Sequence, residues 1–161
     1  MAMIQTKEEG LSMENNRLVR SFYDLNVYQS TYKTSITILT KIIPKLPKEE
    51  QFDLANQLRR SAKAIPRLIA ESYAKKHQKK GFQALLDDAM QESNETIVSL
   101  SHVKDAYKIE PDLCRELIDI YDKASRQLYK LSLAWSNFKE RRLMNSKYKT
   151  DTQPQTINDK P

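Results

Sequence analysis

The sequence predicts an all-α fold, in which four helices form an up-down-up-down antiparallel bundle. Three observations lead there. The 161 residues include only two glycines, which argues against a fold with many tight β-turns. Four segments space their apolar residues three and four apart, the period of a helix with one buried face. Short segments that contain proline or glycine separate them, as in a bundle of neighbouring helices.

The first helix is predicted from about Leu25 to Ile43 and carries apolar residues on two stripes. One stripe consists of Leu25, Tyr28, Tyr32, Ile36, Leu39 and Ile43. The other consists of Val27, Thr31, Ile38 and Ile42. A helix with so wide an apolar arc is often covered on two sides. We therefore expect one stripe to face the core and the other to meet a second subunit.

The second helix is predicted to start near Pro47, which suits a first helical turn, and to continue to about Lys76. Its core-facing seam consists of Ala55, Leu58, Ala62, Ile65 and Ile69. Pro66 removes one backbone hydrogen bond, but the seam keeps its period on both sides of it. We expect a helix that bends at Pro66 and remains continuous.

The third and fourth helices are predicted from about Gly81 to Lys108 and from Pro111 to about Arg142. The inward positions of the third are Phe82, Leu85, Leu86, Ala89, Ile97, Leu100 and Tyr107. Those of the fourth are Leu113, Leu117, Ile120, Ala124, Leu128, Leu131, Trp135 and Phe138. The bundle would thus occupy residues 21–142, between a flexible segment 1–20 and a disordered tail 143–161, which is poor in apolar residues.

Composition favours a soluble cytoplasmic protein. The N-terminus lacks the apolar core of a signal peptide, and no apolar run approaches the ~20 residues of a membrane span. The single cysteine, Cys114, cannot form an internal disulfide, which fits a reducing compartment.

No pattern for catalysis or for a cofactor is evident, so we expect a protein that is not an enzyme. The sequence has no Gly-rich phosphate loop, no nucleophile elbow and no Glu-x-x-His pair for a di-iron centre. His102 and Asp105 lie one turn apart, but two ligands do not make a metal site. Cys114 near a helix start is better explained as a packed, inert thiol.

The aromatic residues at helical spacing, which include Tyr28, Tyr32, Phe52 and Phe82, are expected in the core and not in a base-stacking platform.

The charge surplus is concentrated in residues 59–81. This stretch holds eight Lys or Arg residues and a single acid, Glu71, whereas the whole chain is only +6. Solvated helix faces usually alternate signs, so this unrelieved charge predicts an anionic partner. The expected nucleic-acid-binding residues are Arg59, Arg60, Lys63, Arg67, Lys75, Lys76, Lys79 and Lys80. RNA is the favoured partner, and the alternative is a scaffold whose basic face docks an acidic protein.

A motif within the second helix resembles the hallmark of a known family. The stretch "LPKEEQFDLANQLRRSAKAIPRLIAE", residues 46–71, is similar to the hallmark of the small bacterial four-helix-bundle proteins also called the 23S rRNA intervening-sequence or S23 family. The matching positions are Pro47, Glu50, Phe52, Leu54, Gln57, Arg59, Arg60, Ile65, Ile69, Ala70 and Glu71. The sequence departs from the hallmark at Ala64, Leu68, Ser72, Gln91 and Glu92, which indicates a divergent branch.

The resemblance implies a ring-shaped homopentamer and a link to structured RNA, without enzymatic activity. Relatives act as the accessory variability protein of diversity-generating retroelements, which binds a reverse transcriptase and its template RNA. A reverse transcriptase is therefore an implied protein partner. Arg59 and Arg60 match the paired arginines of the hallmark. Gln57 and Glu71 match its polar positions, where they would satisfy buried polar groups or a subunit contact.

Overall fold

The computed structural model describes the backbone of residues 19–150 and the side chains of residues 19–134. Within residues 19–150 all regular structure is helical, which confirms the predicted fold class. Four α-helices are present: α1 Asn26–Thr37, α2 Leu54–Ala74, α3 Lys79–Asp105 and α4 Pro111–Thr150. Neighbours in sequence pack on one another, and α1 also packs on α4. None of these helices has an apolar stretch long enough to cross a bilayer.

Regular α-helix in α1 ends earlier than the predicted end at Ile43. The α-helix stops at Thr37, a π-helical turn follows over Ile38–Ile42, and a 3-10 turn covers Ile43–Lys45. Ile38, Ile42 and Ile43 are all buried. Ile42 ends the π turn and Ile43 begins the 3-10 turn, and both are buried although they are consecutive in sequence.

The core side of α1 is lined partly by hydroxyl groups that bond within their own helix. The Thr31 Oγ1 donates to the Val27 carbonyl at 2.7 Å, and the Thr34 Oγ1 donates to the Ser30 carbonyl at 2.7 Å. The Ser35 Oγ donates to the Tyr32 carbonyl, also at 2.7 Å. Each buried hydroxyl therefore has a partner, which removes most of the cost of burying it.

The two apolar stripes of α1 have different environments. Val27, Thr31, Ile38 and Ile42 are buried, so this stripe faces the core as predicted. On the other stripe Tyr32 and Ile36 are exposed, while Tyr28 and Leu39 are half-buried. The second stripe is therefore only partly covered within one chain.

The predicted seams of the other helices are largely correct. All five seam residues of α2 are buried. Phe82, Leu86, Ala89 and Leu100 of α3 are buried, as are Leu117, Ala124 and Leu128 of α4. Helix α4 runs to Thr150, eight residues beyond the expected end near Arg142. The expected N-terminal segment 1–20 and the end of the expected tail, 151–161, lie almost wholly outside the described residues.

Pro66 lies inside α2, which is continuous across this residue as expected, although the helix begins at Leu54, seven residues after the predicted start near Pro47. The Pro66 side chain is buried, so its ring contributes to packing although it removes a backbone hydrogen bond.

We expect Pro66→Ala to remain folded and to change the free energy of unfolding by less than about 1.5 kcal/mol. The restored N–H hydrogen bond and the higher helix propensity of alanine offset the packing lost with the ring. Urea unfolding followed by circular dichroism measures this change. Loss of the cooperative transition would show that the proline is required for the shape of α2.

Candidate nucleic-acid interface

An open groove of about 1110 Å³ lies between α2 and α3. Three of the predicted phosphate-binding residues, Arg60, Lys63 and Arg67, line it from α2, and all three are exposed. Its floor contains small residues, and the Ser61 and Thr96 hydroxyls are hydrogen-bonded there at 2.8 Å. Small side chains at this crossing bring the two helices close together, which sets the basic residues of α2 beside the polar residues of α3.

Helix α3 supplies acids that the sequence of residues 59–81 does not contain. Glu92 and Glu95 line the same groove as the three basic residues. Arg67 also forms a 3.0 Å ion pair with Glu71. Glu71 is still the single acid within residues 59–81, but α3 gives the groove a mixed charge that this stretch alone does not show.

Glu92 has an altered acidity that follows from its position in this groove. Burial raises its pKa, and the neighbouring Glu95 raises the pKa further, while Arg60 and Arg67 oppose the shift. The two arginines thus partly stabilise the Glu92 carboxylate. This carboxylate in turn lowers the positive electrostatic potential that the arginines would present to phosphates.

The remaining basic residues form a lysine cluster at the turn between α2 and α3. We use this name for Lys75, Lys76, Lys79 and Lys80. Three of them are exposed and Lys76 is half-buried, with its Nζ 3.9 Å from the centroid of the Tyr73 ring. Lys79 and Lys80 are the first residues of α3, whose first turn contains no acid. The dipole of α3 disfavours cations at this end of the helix and favours anions there.

The structure separates Arg59 from the other predicted ligands. Arg59 is half-buried and does not line the groove, whereas its neighbour Arg60 does. The eight predicted residues therefore form no single face. They divide into the groove residues, the lysine cluster and Arg59.

Three polar positions of the hallmark motif have identifiable roles. Glu50 accepts a hydrogen bond from the Tyr107 hydroxyl and from the Leu54 N–H at 3.3 Å, so it ties the start of α2 to the end of α3. Gln57 and Glu71 are exposed, and each bonds to a residue four positions earlier, Asp53 and Arg67 respectively. Neither residue therefore satisfies a buried polar group among the described residues of one chain, and the expected subunit contact stays a prediction.

Three departures from the hallmark are buried inside the chain. Ala64 and Leu68 are buried apolar residues, and the buried Ser72 hydroxyl donates to the Ile69 carbonyl at 2.7 Å. The divergence at these positions therefore changes packing within the bundle.

The isolated catalytic candidates show no site among the described residues. No three His, Cys, Asp or Glu side chains there converge as metal ligands would. His102 lines the groove, while Asp105 pairs with Lys104 at 3.1 Å. Cys114 is buried, its Sγ lies 3.4 Å from the Ile109 carbonyl, and burial raises the pKa of its thiol. A raised pKa is typical of an unreactive thiol.

The aromatic residues are less buried than the sequence predicted. Phe82 is buried and Tyr28 is half-buried, but Tyr32 is exposed and Phe52 is 93% exposed. The side chains of Trp135 and Phe138 lie outside the described residues. Placing Tyr32 and Phe52 in the core was wrong. Tyr32 lies on a side of α1 that one chain leaves partly uncovered, which helical spacing does not show, and Phe52 lies in the turn before α2, outside any helix.

We expect Glu92 to give the protein a pH-dependent stability that Glu92→Gln removes. Because the folded state raises the pKa of Glu92, the folded chain holds this proton more tightly than the unfolded chain does. The contribution of Glu92 to the free energy of unfolding is fully present below the pKa of the unfolded state, about 4.3. It declines as pH rises through the higher pKa of the folded state. Urea unfolding at a series of pH values from 3.5 to 8 measures this decline.

Glu95→Gln is the matched control for this measurement. It removes a neighbouring charge that raises the pKa of Glu92 but leaves the Glu92 carboxyl in place, so the decline should shrink only in part. A Glu92→Gln profile that runs parallel to the wild-type profile would contradict the assignment.

Comparison with known proteins gives one match. The model of a family described as 23S rRNA-intervening sequence protein matches residues 23–130, which is more than half of the chain. No curated protein and no solved structure matches. The matched residues include the α2 motif, the groove and the lysine cluster.

Proposed function

The chain belongs to the 23S rRNA-intervening sequence protein family, and from that membership we propose that it is a non-enzymatic protein that binds structured RNA. The lysine cluster is the main phosphate-binding surface. The observation that carries this proposal is the concentration of four cations at one turn, two of them at the start of α3. Phosphates there would be favoured by the lysine charges and by the helix dipole together.

The groove residues Arg60, Lys63 and Arg67 have a secondary role in this proposal. Glu92 and Glu95 share the groove, so a phosphate there would meet repulsion as well as attraction. Polar side chains in a groove of mixed charge suit hydrogen bonds that fix the orientation of the RNA.

Retention of RNA by the purified protein as a function of salt tests the proposal. Binding to phosphates should weaken linearly in a plot of log affinity against log salt, with a slope of about −0.7 to −0.9 per phosphate contacted. RNA affinity that does not depend on salt, or no RNA binding at low salt, would contradict it.

An oligomeric ring is the proposed assembly, in which the four helices of each chain alternate in direction. Short connections at residues 75–78 and 106–110 support the alternation. The exposed side chains of Tyr32, Ile36 and Phe52 support a subunit contact, because large apolar groups exposed on one chain are typical of interaction surfaces.

We expect light scattering after gel filtration to give about five times the chain mass of 18.8 kDa, as the family resemblance implies. Phe52→Asp should shift the protein toward smaller species, since an aspartate cannot be buried unpaired at a contact. Glu49→Gln, at an exposed position of the same turn, should leave the mass unchanged. A monomeric wild-type protein at micromolar concentration would rule out the ring.

The proposed biological setting is the accessory variability component of a diversity-generating retroelement, with a reverse transcriptase as protein partner. The support is the family resemblance together with a cationic surface that could serve either RNA or an acidic protein. Co-purification with a reverse transcriptase, with and without nuclease, distinguishes RNA binding from direct protein binding by this surface. An association that survives nuclease treatment would favour direct protein contact, and one that is lost would favour a bridge of RNA.

A further inference from the structure

Four aromatic side chains cluster where the chain enters α1. Phe22 and Tyr23 lie with ring centroids 4.2 Å apart, and Tyr28 meets both rings edge-on at 4.8 and 5.5 Å. Tyr32 stacks on Tyr28 at 5.9 Å. Tyr23 is 62% exposed, so the outer part of this cluster is open to a ligand. Burial is the largest cause of the raised pKa of Tyr28, and the neighbouring Tyr23 and Tyr32 raise this pKa further.

The segment that carries Tyr23 is fixed in position by several hydrogen bonds. The Asp24 carboxylate accepts from the Arg20 and Ser21 N–H groups at 2.9 Å each. The Gln29 amide donates to the Tyr23 carbonyl at 2.7 Å. An ordered aromatic surface loses little conformational freedom when a ligand binds, which favours affinity.

The same segment contacts the end of α2 beside the lysine cluster. The Tyr73 hydroxyl donates to the Val19 carbonyl at 3.3 Å, and Lys76 covers the Tyr73 ring. Val19 and Tyr23 are four residues apart, at most about 14 Å of chain. The sequence separates Tyr23 from Lys75 by some fifty residues, but the fold brings the aromatic and cationic groups to one end of the molecule.

We propose that Tyr23, supported by Phe22 and Tyr28, stacks on unpaired RNA bases while the lysine cluster binds the adjoining phosphates. This inference rests on the proposed RNA-binding function and specifies the part of the structured RNA that the protein contacts, its unpaired single-stranded segments. Aromatic faces beside cations are the arrangement with which proteins hold single strands. A duplex stacks its bases internally and offers the exposed ring only a backbone to contact.

The test compares a single-stranded RNA 20-mer that carries 2-aminopurine with a 20-base-pair RNA duplex. Tyr23→Leu should weaken binding of the single strand about five- to 150-fold and leave binding of the duplex unchanged. The salt slope should not change, because no charge is altered. The wild-type protein should quench the 2-aminopurine fluorescence by stacking, and the Leu variant should not.

Two further variants separate stacking from general effects. Tyr23→Phe keeps the ring and should restore wild-type affinity and quenching. Tyr129→Leu removes a tyrosine of similar exposure, 57%, from α4 and should change neither. Equal affinity of Tyr23→Leu and wild type for the single strand would overturn the inference while salt-dependent RNA binding would still support the proposed function.

The remaining outcomes also decide the question. If the wild-type protein binds neither RNA, the proposed function and this inference both fail. If Tyr23→Leu changes the mass of the assembly in light scattering, the aromatic cluster is a subunit contact and the stacking assignment is wrong.

Discussion

Replacing all four residues of the lysine cluster by glutamine is expected to abolish most RNA affinity at low salt. Two to four lost phosphate contacts would make the slope of log affinity against log salt shallower by about 1.4 to 2.8 for single strands. If variant and wild type have equal affinity at 1 M salt, this difference in slope makes the RNA affinity of the variant about 25- to 600-fold lower at 0.1 M salt. Filter binding or fluorescence anisotropy over a range of salt measures both quantities. Glutamine keeps the helix propensity, so the fold should persist.

The groove residues provide the first comparison. Changing Arg60, Lys63 and Arg67 together to glutamine should weaken binding less, because Glu71, Glu92 and Glu95 already offset these charges in the free protein. A larger loss from the groove variant than from the lysine variant would reverse the assignment of the main phosphate site. Arg59 is left intact in both variants, since its half-buried side chain makes it a structural risk.

A quadruple variant with the same change in net charge is the second comparison. The lysines replaced are Lys33 of α1, Lys41 of the π turn, and Lys123 and Lys130 of α4; all four are exposed and none belongs to the α2–α3 turn. Their replacement by glutamine should reduce affinity only slightly. If it reduces affinity as much as the lysine-cluster variant does, binding depends on overall charge and the site is wrong. If no variant alters RNA binding, the acidic-protein interpretation becomes the better one.

Truncation of Tyr121 is expected to have the largest effect on stability. Tyr121 is among the largest fully buried side chains and lies on the core side of α4. Tyr121→Ala should lower the free energy of unfolding by about 3 to 5 kcal/mol, because a large cavity replaces the ring. Urea unfolding at a fixed protein concentration measures the change, since stability of an oligomer depends on concentration.

Tyr121→Phe is the matched variant, because it removes the hydroxyl and keeps the ring. The Tyr121 hydroxyl and the Ser125 Oγ, one turn apart on α4, have no hydrogen-bond partner among the described residues. Burial also raises the pKa of the Tyr121 phenol, so the hydroxyl stays neutral. Loss of an unpartnered buried hydroxyl should be neutral or stabilising by up to about 1 kcal/mol. If Tyr121→Phe instead lowers the free energy of unfolding by more than about 1 kcal/mol, the hydroxyl has a hydrogen-bond partner in the assembled protein.

The core of the bundle could be predicted from sequence because burial follows the helical period along each segment. The α2 seam is buried as predicted, and Pro66 lies within a continuous helix. The end of α1 could not be predicted from the same period. The consecutive residues Ile42 and Ile43 are both buried where a π turn meets a 3-10 turn, and their burial depends on helices far away in sequence.

The candidate site likewise combines features that could be predicted from the sequence with features that could not. The sequence by itself determined the charge surplus of residues 59–81 and the motif that marks the family, since both are local patterns. Only the tertiary structure decided that Glu92 and Glu95 line one groove with the arginines of α2, and that the segment carrying Tyr23 contacts the end of α2 through Val19 and Tyr73. Electrostatic and stacking energies depend on distance in space, and packing of α3 and of the entry to α1 against α2 brings together residues that the sequence separates.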